Sequence, residues 1–206
     1  MSTLHSFSQG ALLDRTTTDP NIRQGVCAAL CAAWLSRMKV DSDNTPEQRL
    51  QWLEYQIWPI IRQQQQYNRE RGQQGRNAAQ LNLGARHNLA YDPDQTVIAA
   101  VPPNLNAVAG MTNLKNRFKA DIGRPGKATA WSLRFVRGGG HAIAGFCNLT
   151  AIPTGLRYQL HVFDPNIGEY LGTLQEIDAI LDNLFRRPFY QRYQVEEAHR
   201  ILVGIF

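Results

Sequence analysis

The sequence has few cysteines, no long apolar run and no block of like charge. Only 3 of its 206 residues are cysteines, and an odd, small number does not build the disulfide scaffold of a secreted mini-domain. A reducing compartment fits these thiols better. No apolar run reaches the roughly 18 residues that span a bilayer, and no signal peptide opens the chain. We therefore expect no integral membrane segment.

The charge balance is mildly basic. Lys and Arg number 22 against 17 Asp and Glu, which gives a net charge of +5. This excess is not gathered into a run of five or more basic residues, the pattern that favours nucleic-acid binding. We expect a solvated surface and no nucleic-acid partner. Hydrophobic residues make up 43% of the chain, which is ample for one core.

The N-terminal half predicts a leader followed by helices. Residues 1–20 are rich in Ser and Thr without periodicity, which predicts a flexible leader before a single domain over 21–206. Apolar residues repeat at helical spacing from Cys27 onward. Thr45 and Gln48 have the spacing of a capping box and predict a second helix. The region after this helix is polar and indicates a loop, a lid or a frayed helix.

The C-terminal half predicts a sheet. The period changes to two after about residue 126, and a capping box near Thr173 predicts a further helix. The predicted strands cover residues 96–101, 128–136, 142–149, 156–163, 190–195 and 200–204. Because helices come first and the hairpins follow, the sequence predicts an α+β fold with a mostly antiparallel sheet.

Cys27 is the first candidate for chemistry because it lies where the chain turns into a helix. The positive end of a helix favours the thiolate, which is the attacking form of a cysteine. Gly25 permits a tight turn just before it. Free cysteines are also often small core residues. We expect that role for Cys31, one turn deeper, and for Cys147 in an apolar strand; no motif completes a metal site with them.

His141 and Asp164 are the next candidates. His141 follows three glycines and begins a strand, and Asp164 ends the following strand. An antiparallel hairpin brings these two positions together, where a carboxylate can orient an imidazole base. The alternatives are a histidine at a strand end and a turn-forming Asp before Pro. His161, inside its strand, is a weaker candidate for the base.

Three segments carry more information together than singly. They are Gly25-Val26-Cys27 with Leu30 and Trp34, Gly140-His141-Ala142, and Phe163-Asp164-Pro165-Asn166-Ile167-Gly168. Together they resemble the motifs of the YopT/AvrPphB-type papain-like cysteine proteases, which are bacterial effectors. The resemblance spans residues from about 25 to about 170. The first and third segments are fairly specific for this family, whereas Gly-His-Ala alone is not.

The resemblance implies a papain-like fold whose N-terminal helices carry the nucleophile. It implies a catalytic triad of Cys27, His141 and Asp164 that works through an acyl-enzyme without a metal or cofactor. The oxyanion would be bound by the Cys27 N–H and a side-chain amide upstream. Asn21, six residues before Cys27, is preferred for that amide, and Gln24 is the alternative.

The resemblance also implies a biological setting. It indicates an effector or toxin that a bacterial secretion system delivers into the reducing cytosol of a host cell. There it would act as an endopeptidase on a specific host protein, and a cognate chaperone or immunity protein would be a further partner. Two alternatives stay open: an amidase, deamidase or transglutaminase toxin with the same triad, and a catalytically inert binding module.

Overall fold

The computed structural model describes residues 2–23, 25–90, 98–100, 107–152 and 155–205. Its helices are α1 (Gln9–Thr16), α2 (Pro20–Arg23), α3 (Cys27–Val40), α4 (Pro46–Tyr55), α5 (Ile57–Gln74), α6 (Arg76–Arg86), α7 (Ala107–Ile122), α8 (Ile177–Phe185) and α9 (Pro188–Tyr193). Its strands are β1 (Thr3–Ser6), β2 (Ile98–Ala100), β3 (Lys127–Phe135), β4 (Gly140–Ile152), β5 (Gly155–Asp164), β6 (Gly168–Thr173) and β7 (Val195–Ile205). None of the helices in these ranges is long and apolar enough to cross a bilayer.

The strands form one antiparallel sheet that has helices on both faces. Their order is β1-β6-β5-β4-β3-β7-β2, and each neighbouring pair is antiparallel. Alternate residues of a strand point to opposite faces, so one face of β3 and β4 is lined by alanines and the other by larger side chains. Ala130 and Ala144 pack in the cluster that contains α3, whereas Trp131 and Ile143 pack with α7 and α8. This arrangement confirms the predicted α+β fold.

Small residues on both sides bring α3 close to the sheet. Ala29 and Ala33 of the helix are buried in the same cluster as the alanines of β3 and β4. Trp34 completes this packing, because its indole stacks on Phe163 with ring centroids 5.4 Å apart. The helix that begins at Cys27 is therefore packed against the middle strands of the sheet, next to the side chains of β4 and β5.

The predicted capping box is present at α4. The Thr45 hydroxyl accepts the Gln48 N–H at 3.3 Å, and the Thr45 N–H donates to Gln48 Oε1 at 2.8 Å. Pro46 occupies the first helical position, where its missing N–H costs nothing. The polar region that follows forms α5 and α6. An apolar stripe that includes Ile60 and Ile61 buries one face of α5, which explains why this glutamine-rich segment is helical.

The structure differs from the sequence prediction in the first 20 residues. They contain β1, which pairs with β6 at the edge of the sheet, and α1, whose Leu12 and Leu13 are buried. Gly168 makes this docking possible. It has φ +130°, and a Cβ there would collide with the carbonyl oxygen of His5. The leader prediction failed because the partner of β1 lies far away in the chain.

A second difference lies near the C-terminus. The sequence predicts a strand over residues 190–195, but most of them belong to α9, which begins at Pro188 in the first helical position. The side chains of Phe189 and Tyr190 pack against Phe135. That contact with β3 favours a helix over the predicted strand. The strand predicted at 96–101 is described only at 98–100, as β2; its other residues lie outside the described part.

Candidate active site

The first turn of α3 carries Cys27, and two glutamines from other elements bind the backbone beside it. Val26 precedes the helix and has no capping side chain; its N–H donates to Gln9 Oε1 at 2.9 Å. The N–H of Ala29 donates to Gln64 Oε1 at 3.0 Å. Both bonds satisfy donors that a helix leaves unpaired at its start. Cys27 is thereby held at the positive end of the helix with its side chain half-buried.

The cysteines outside this position lie in the core, as the sequence predicts. Cys31 is fully buried, and that burial, with the nearby Cys27 and Asp164, raises the pKa of its thiol well above the ordinary value. Burial likewise raises the pKa of Cys147 to about 11. Both therefore remain thiols at neutral pH and pack as apolar groups.

His141 stands between Cys27 and Asp164. Its Nε2 lies 2.8 Å from Asp164 Oδ1, and Cys27 is close enough to the same ring to help raise its pKa. Since Asp164 occupies Nε2, Nδ1 is the nitrogen left to face the sulfur. The hairpin of β4 and β5 creates this geometry, because Ala144 pairs with Phe163 and the start of β4 thus meets the end of β5.

Three donors hold the buried carboxylate of Asp164. Oδ1 accepts the bond from His141 and the backbone N–H of Asn166 at 2.7 Å, while Oδ2 accepts the hydroxyl of Tyr190 at 2.5 Å. Burial, followed by the nearby Asp164, raises the pKa of Tyr190 well above its ordinary value, so its hydroxyl stays protonated and donates. A buried carboxylate needs such partners, because leaving a lone pair unsatisfied is costly.

The electrostatics favour a charged imidazole. Burial alone would lower the pKa of His141, but the Asp164 carboxylate, its hydrogen bond and the contact with Cys27 outweigh burial and raise it from 6.5 to about 10. At neutral pH the ring is therefore an imidazolium beside the sulfur. Such a cation stabilises a neighbouring thiolate, and it also carries a proton that a leaving group can take.

The structure thus brings Cys27, His141 and Asp164 into one cluster. It does not describe the side-chain amide that the sequence predicts to bind the oxyanion. Asn21 lies in α2, but its side chain is outside the described part, and so is the whole of Gln24. His161, the weaker candidate for the base, lies elsewhere: its Nδ1 is 2.8 Å from Glu169 in a buried cluster.

Sequence reasoning missed two side chains at this cluster. The sequence pattern predicts a strand at Tyr190 and a flexible leader at Gln9. Neither has a local motif that marks it, because each reaches the site only through the tertiary fold. Within the described ranges, no group of three or more His, Cys, Asp or Glu side chains is arranged to hold a metal ion.

The fold is shared with the solved structure of a bacterial avirulence protein. The crystal structure of Pseudomonas avirulence protein AvrPphB superposes with a TM-score of 0.67 at 20% sequence identity, over 94% of this chain and 100% of that chain. The architecture is therefore the papain-like α+β arrangement that the motifs implied, in which a helix carries Cys27 and an antiparallel sheet carries His141.

Sequence comparison gives the family. A family model described as Yersinia/Haemophilus virulence surface antigen, a peptidase family, matches residues 3–201. The cysteine protease avirulence protein AvrPphB of Pseudomonas savastanoi pv. phaseolicola is 26% identical over 188 residues, which cover 87% of this chain and 64% of that protein. The chain thus spans less than two thirds of this relative. It belongs to the YopT/AvrPphB-type family of cysteine protease effectors.

Proposed function

We propose that this chain is a cysteine endopeptidase that acts as a bacterial effector on a specific host protein. The observation that carries the proposal is the position of His141, which is hydrogen-bonded to Asp164 and has Cys27 as a neighbour that acts on its charge. Family membership supports the same reaction class. In this role Cys27 is the nucleophile, His141 is the acid and then the base, and Asp164 orients the ring.

The reaction runs in two halves. The Cys27 thiolate attacks the carbonyl carbon of the scissile peptide, a C–S bond forms, and the electron pair of the carbonyl moves to its oxygen. As the tetrahedral intermediate collapses, the C–N bond breaks and the His141 imidazolium gives its proton to the leaving amine. Neutral His141 then takes a proton from water, the hydroxide attacks the thioester, and the C–S bond breaks to restore the thiolate.

The oxyanion of both intermediates needs donors. The start of α3 supplies a backbone N–H at Cys27 and a positive helix end. We assign the second donor to Asn21, with Gln24 as the alternative, on the sequence spacing to Cys27. Removal of one such donor typically lowers kcat by about 10²–10³-fold.

Family membership supports a proposal for the cellular role. We propose delivery by a secretion system into a host cell, whose reducing cytosol keeps Cys27 as a free thiol. The substrate is then a host protein, and a cognate chaperone or immunity protein is a further partner before delivery.

The first prediction tests the reaction class. Cys27→Ala should abolish new protein N-termini in a host-cell lysate, with a loss of about 10⁴-fold or more in cleavage rate, because the nucleophile is gone. The measurement is mass spectrometry of protein N-termini after treatment with each variant. Cys31→Ala is the matched control: it removes a buried thiol from the same helix, and cleavage should persist.

Two outcomes contradict the endopeptidase. One is the absence of any new N-terminus that depends on Cys27. The other is a Cys27-dependent change in glutamine side chains without backbone cleavage, which would identify a deamidase or transglutaminase with the same triad. No Cys27-dependent change of either kind would indicate a binding module.

A further inference from the structure

Gln9 connects the two halves of the candidate site and has no role in the reaction proposed above. Its side chain is only 6% exposed although it is polar. Its Oε1 accepts the N–H of Val26 at 2.9 Å, and its Nε2 donates to Asn166 Oδ1 at 2.7 Å. One carboxamide thus binds the residue before the nucleophile and the loop of the triad carboxylate at the same time.

Each partner of Gln9 is one step from a triad member. Val26 is bonded to Cys27 along the chain. Asn166 donates its own N–H to Asp164 Oδ1 at 2.7 Å. A continuous path of hydrogen bonds therefore runs from the start of α3 through Gln9 and Asn166 to Asp164, and from there to His141.

The backbone on both sides holds Gln9 in place. Its N–H donates to the carbonyl of Pro165 at 2.7 Å, and the N–H of Phe7 donates to the carbonyl of Ile167 at 3.1 Å. These bonds continue the pairing of β1 with β6 into the loop that follows Asp164. On the opposite side Gly25 has φ +114°, and a Cβ there would lie 3.4 Å from Gln9 Oε1. Any larger residue at position 25 would be strained by this backbone conformation, and its Cβ would be in van der Waals contact with the carboxamide.

We infer that Gln9 is a positioning residue that sets the placement of the Cys27 turn relative to the His141–Asp164 pair. This inference rests on the proposed function, since it names a residue that supports the same triad. Nothing in the local sequence marks Gln9, and it acts through Val26 and Asn166 without touching the reacting atoms. Its role is geometric: a misplacement of about 1 Å in an active site can cost about 10²-fold in rate.

Gln9→Leu keeps the size of the side chain and removes both hydrogen bonds. The readout is the rate of alkylation of Cys27 by iodoacetamide across the pH range, with the modified peptide identified by mass spectrometry. We expect a fall of about 10-fold near pH 6, where reaction depends on the imidazolium beside the sulfur, and a smaller fall near pH 9. Cleavage in the lysate assay should fall by a similar or larger factor.

Gln9→Glu is the conservative variant. A carboxylate can still accept the Val26 N–H, and the amide of Asn166 can turn to donate to it. We expect reactivity within about 3-fold of the wild type near pH 8, because both partners of residue 9 stay hydrogen-bonded. A residue that only fills space would not give opposite results for Leu and Glu.

Thr45→Ala controls for stability alone. Thr45 caps α4, beyond the far end of α3, a helix about 20 Å long. Losing this cap lowers stability without touching the site, so the pH profile of Cys27 should match the wild type. If Gln9→Leu does not fold, Gln9→Asn replaces it, because the shorter side chain cannot bond both partners.

A double variant tests the path. If Gln9 acts through Asn166, then Gln9→Leu combined with Asn166→Ala should react within about twofold of the slower single variant, whereas independent effects would multiply. The inference is overturned if Gln9→Leu follows the profile of Thr45→Ala, or if Gln9→Glu is as slow as Gln9→Leu. Failure of the peptidase proposal looks different: the wild type itself would then show no Cys27-dependent cleavage.

Discussion

At the scale of single residues, the candidate site depends on how its buried carboxylate is satisfied. Asp164 is fully buried and accepts from a ring, a backbone N–H and a phenol. Tyr190 is the least expected of these donors, and it also packs edge-on against the ring of His141, with centroids 6.2 Å apart. It therefore contacts both partners of the pair and limits the rotation of each.

Tyr190→Phe should distinguish the contribution of the Tyr190 hydroxyl from that of its aromatic ring. The variant keeps the packing but removes one donor from a buried charge, so we expect a loss of about 1.5–3 kcal/mol in the free energy of unfolding. Alkylation of Cys27 should slow by several-fold at most, since His141 keeps its bond to Asp164. Urea unfolding and the alkylation rate measure the two effects.

Tyr170→Phe is the matched control for that experiment. Tyr170 is also buried, and its hydroxyl accepts a bond from Arg187 at 3.2 Å. Its removal should leave the alkylation of Cys27 unchanged. Equal stability of Tyr190→Phe and the wild type would show that the Asp164 contact contributes nothing.

At the scale of elements, a buried ionic cluster joins the helical layer to the sheet. Glu169 of β6 accepts from Arg49 of α4 at 2.5 Å and from the indole of Trp34 of α3 at 2.9 Å. His161 of β5 lies 2.8 Å from the same carboxylate. Arg49 and Glu169 are completely buried. Removing one partner of such a cluster is costly, because the remaining charge would be buried with neither a partner nor solvent around it.

Glu169 also makes stability depend on pH. Burial alone would raise its pKa, but the hydrogen bonds from His161 and Arg49 outweigh burial and lower it from 4.5 to about 2. A carboxyl whose pKa is lower in the folded state stabilises the fold above the unfolded value. This contribution is present above pH 4.5 and is lost as the pH falls to about 2. It amounts to about 3 kcal/mol.

Arg49→Met should therefore destabilise the protein by about 3–5 kcal/mol at neutral pH, because it leaves Glu169 buried and unpaired. The difference from the wild type should narrow as the pH falls toward about 3, where the wild type loses the same contribution. Urea unfolding at several pH values measures this. A gap that stays constant with pH would contradict it, and Arg49→Met combined with Glu169→Leu should be less destabilised than Arg49→Met alone.

At the scale of the whole molecule, the site joins distant parts of the chain, and this decides what the sequence could predict. The start of α3 at Cys27 and the meeting of His141 with Asp164 depend on local signals: a helix start and one hairpin. The roles of Gln9 and Tyr190 do not. Gln9 binds Asn166, 157 residues away, and such a pairing has no local pattern.

The same reasoning explains the errors at the level of secondary structure. The first 20 residues form β1 and α1 because the edge of β6 offers hydrogen bonds and Gly168 leaves room, neither of which is visible nearby in the sequence. The sequence predicts a strand at 190–195, whereas the packing of Tyr190 on β3 and its bond to Asp164 favour a helix. Tertiary contacts overrode local propensity in both places.

The central claim is that His141 holds Cys27 ready as a nucleophile. The most direct measurement compares the pH dependence of Cys27 alkylation by iodoacetamide in the wild type and in His141→Ala, with each cysteine resolved by peptide mapping. We predict that the wild type reacts selectively at Cys27 near pH 6 and that His141→Ala reacts there at least about 10-fold more slowly, recovering near pH 9. Superimposable profiles, or equal labelling of Cys31, would contradict the account.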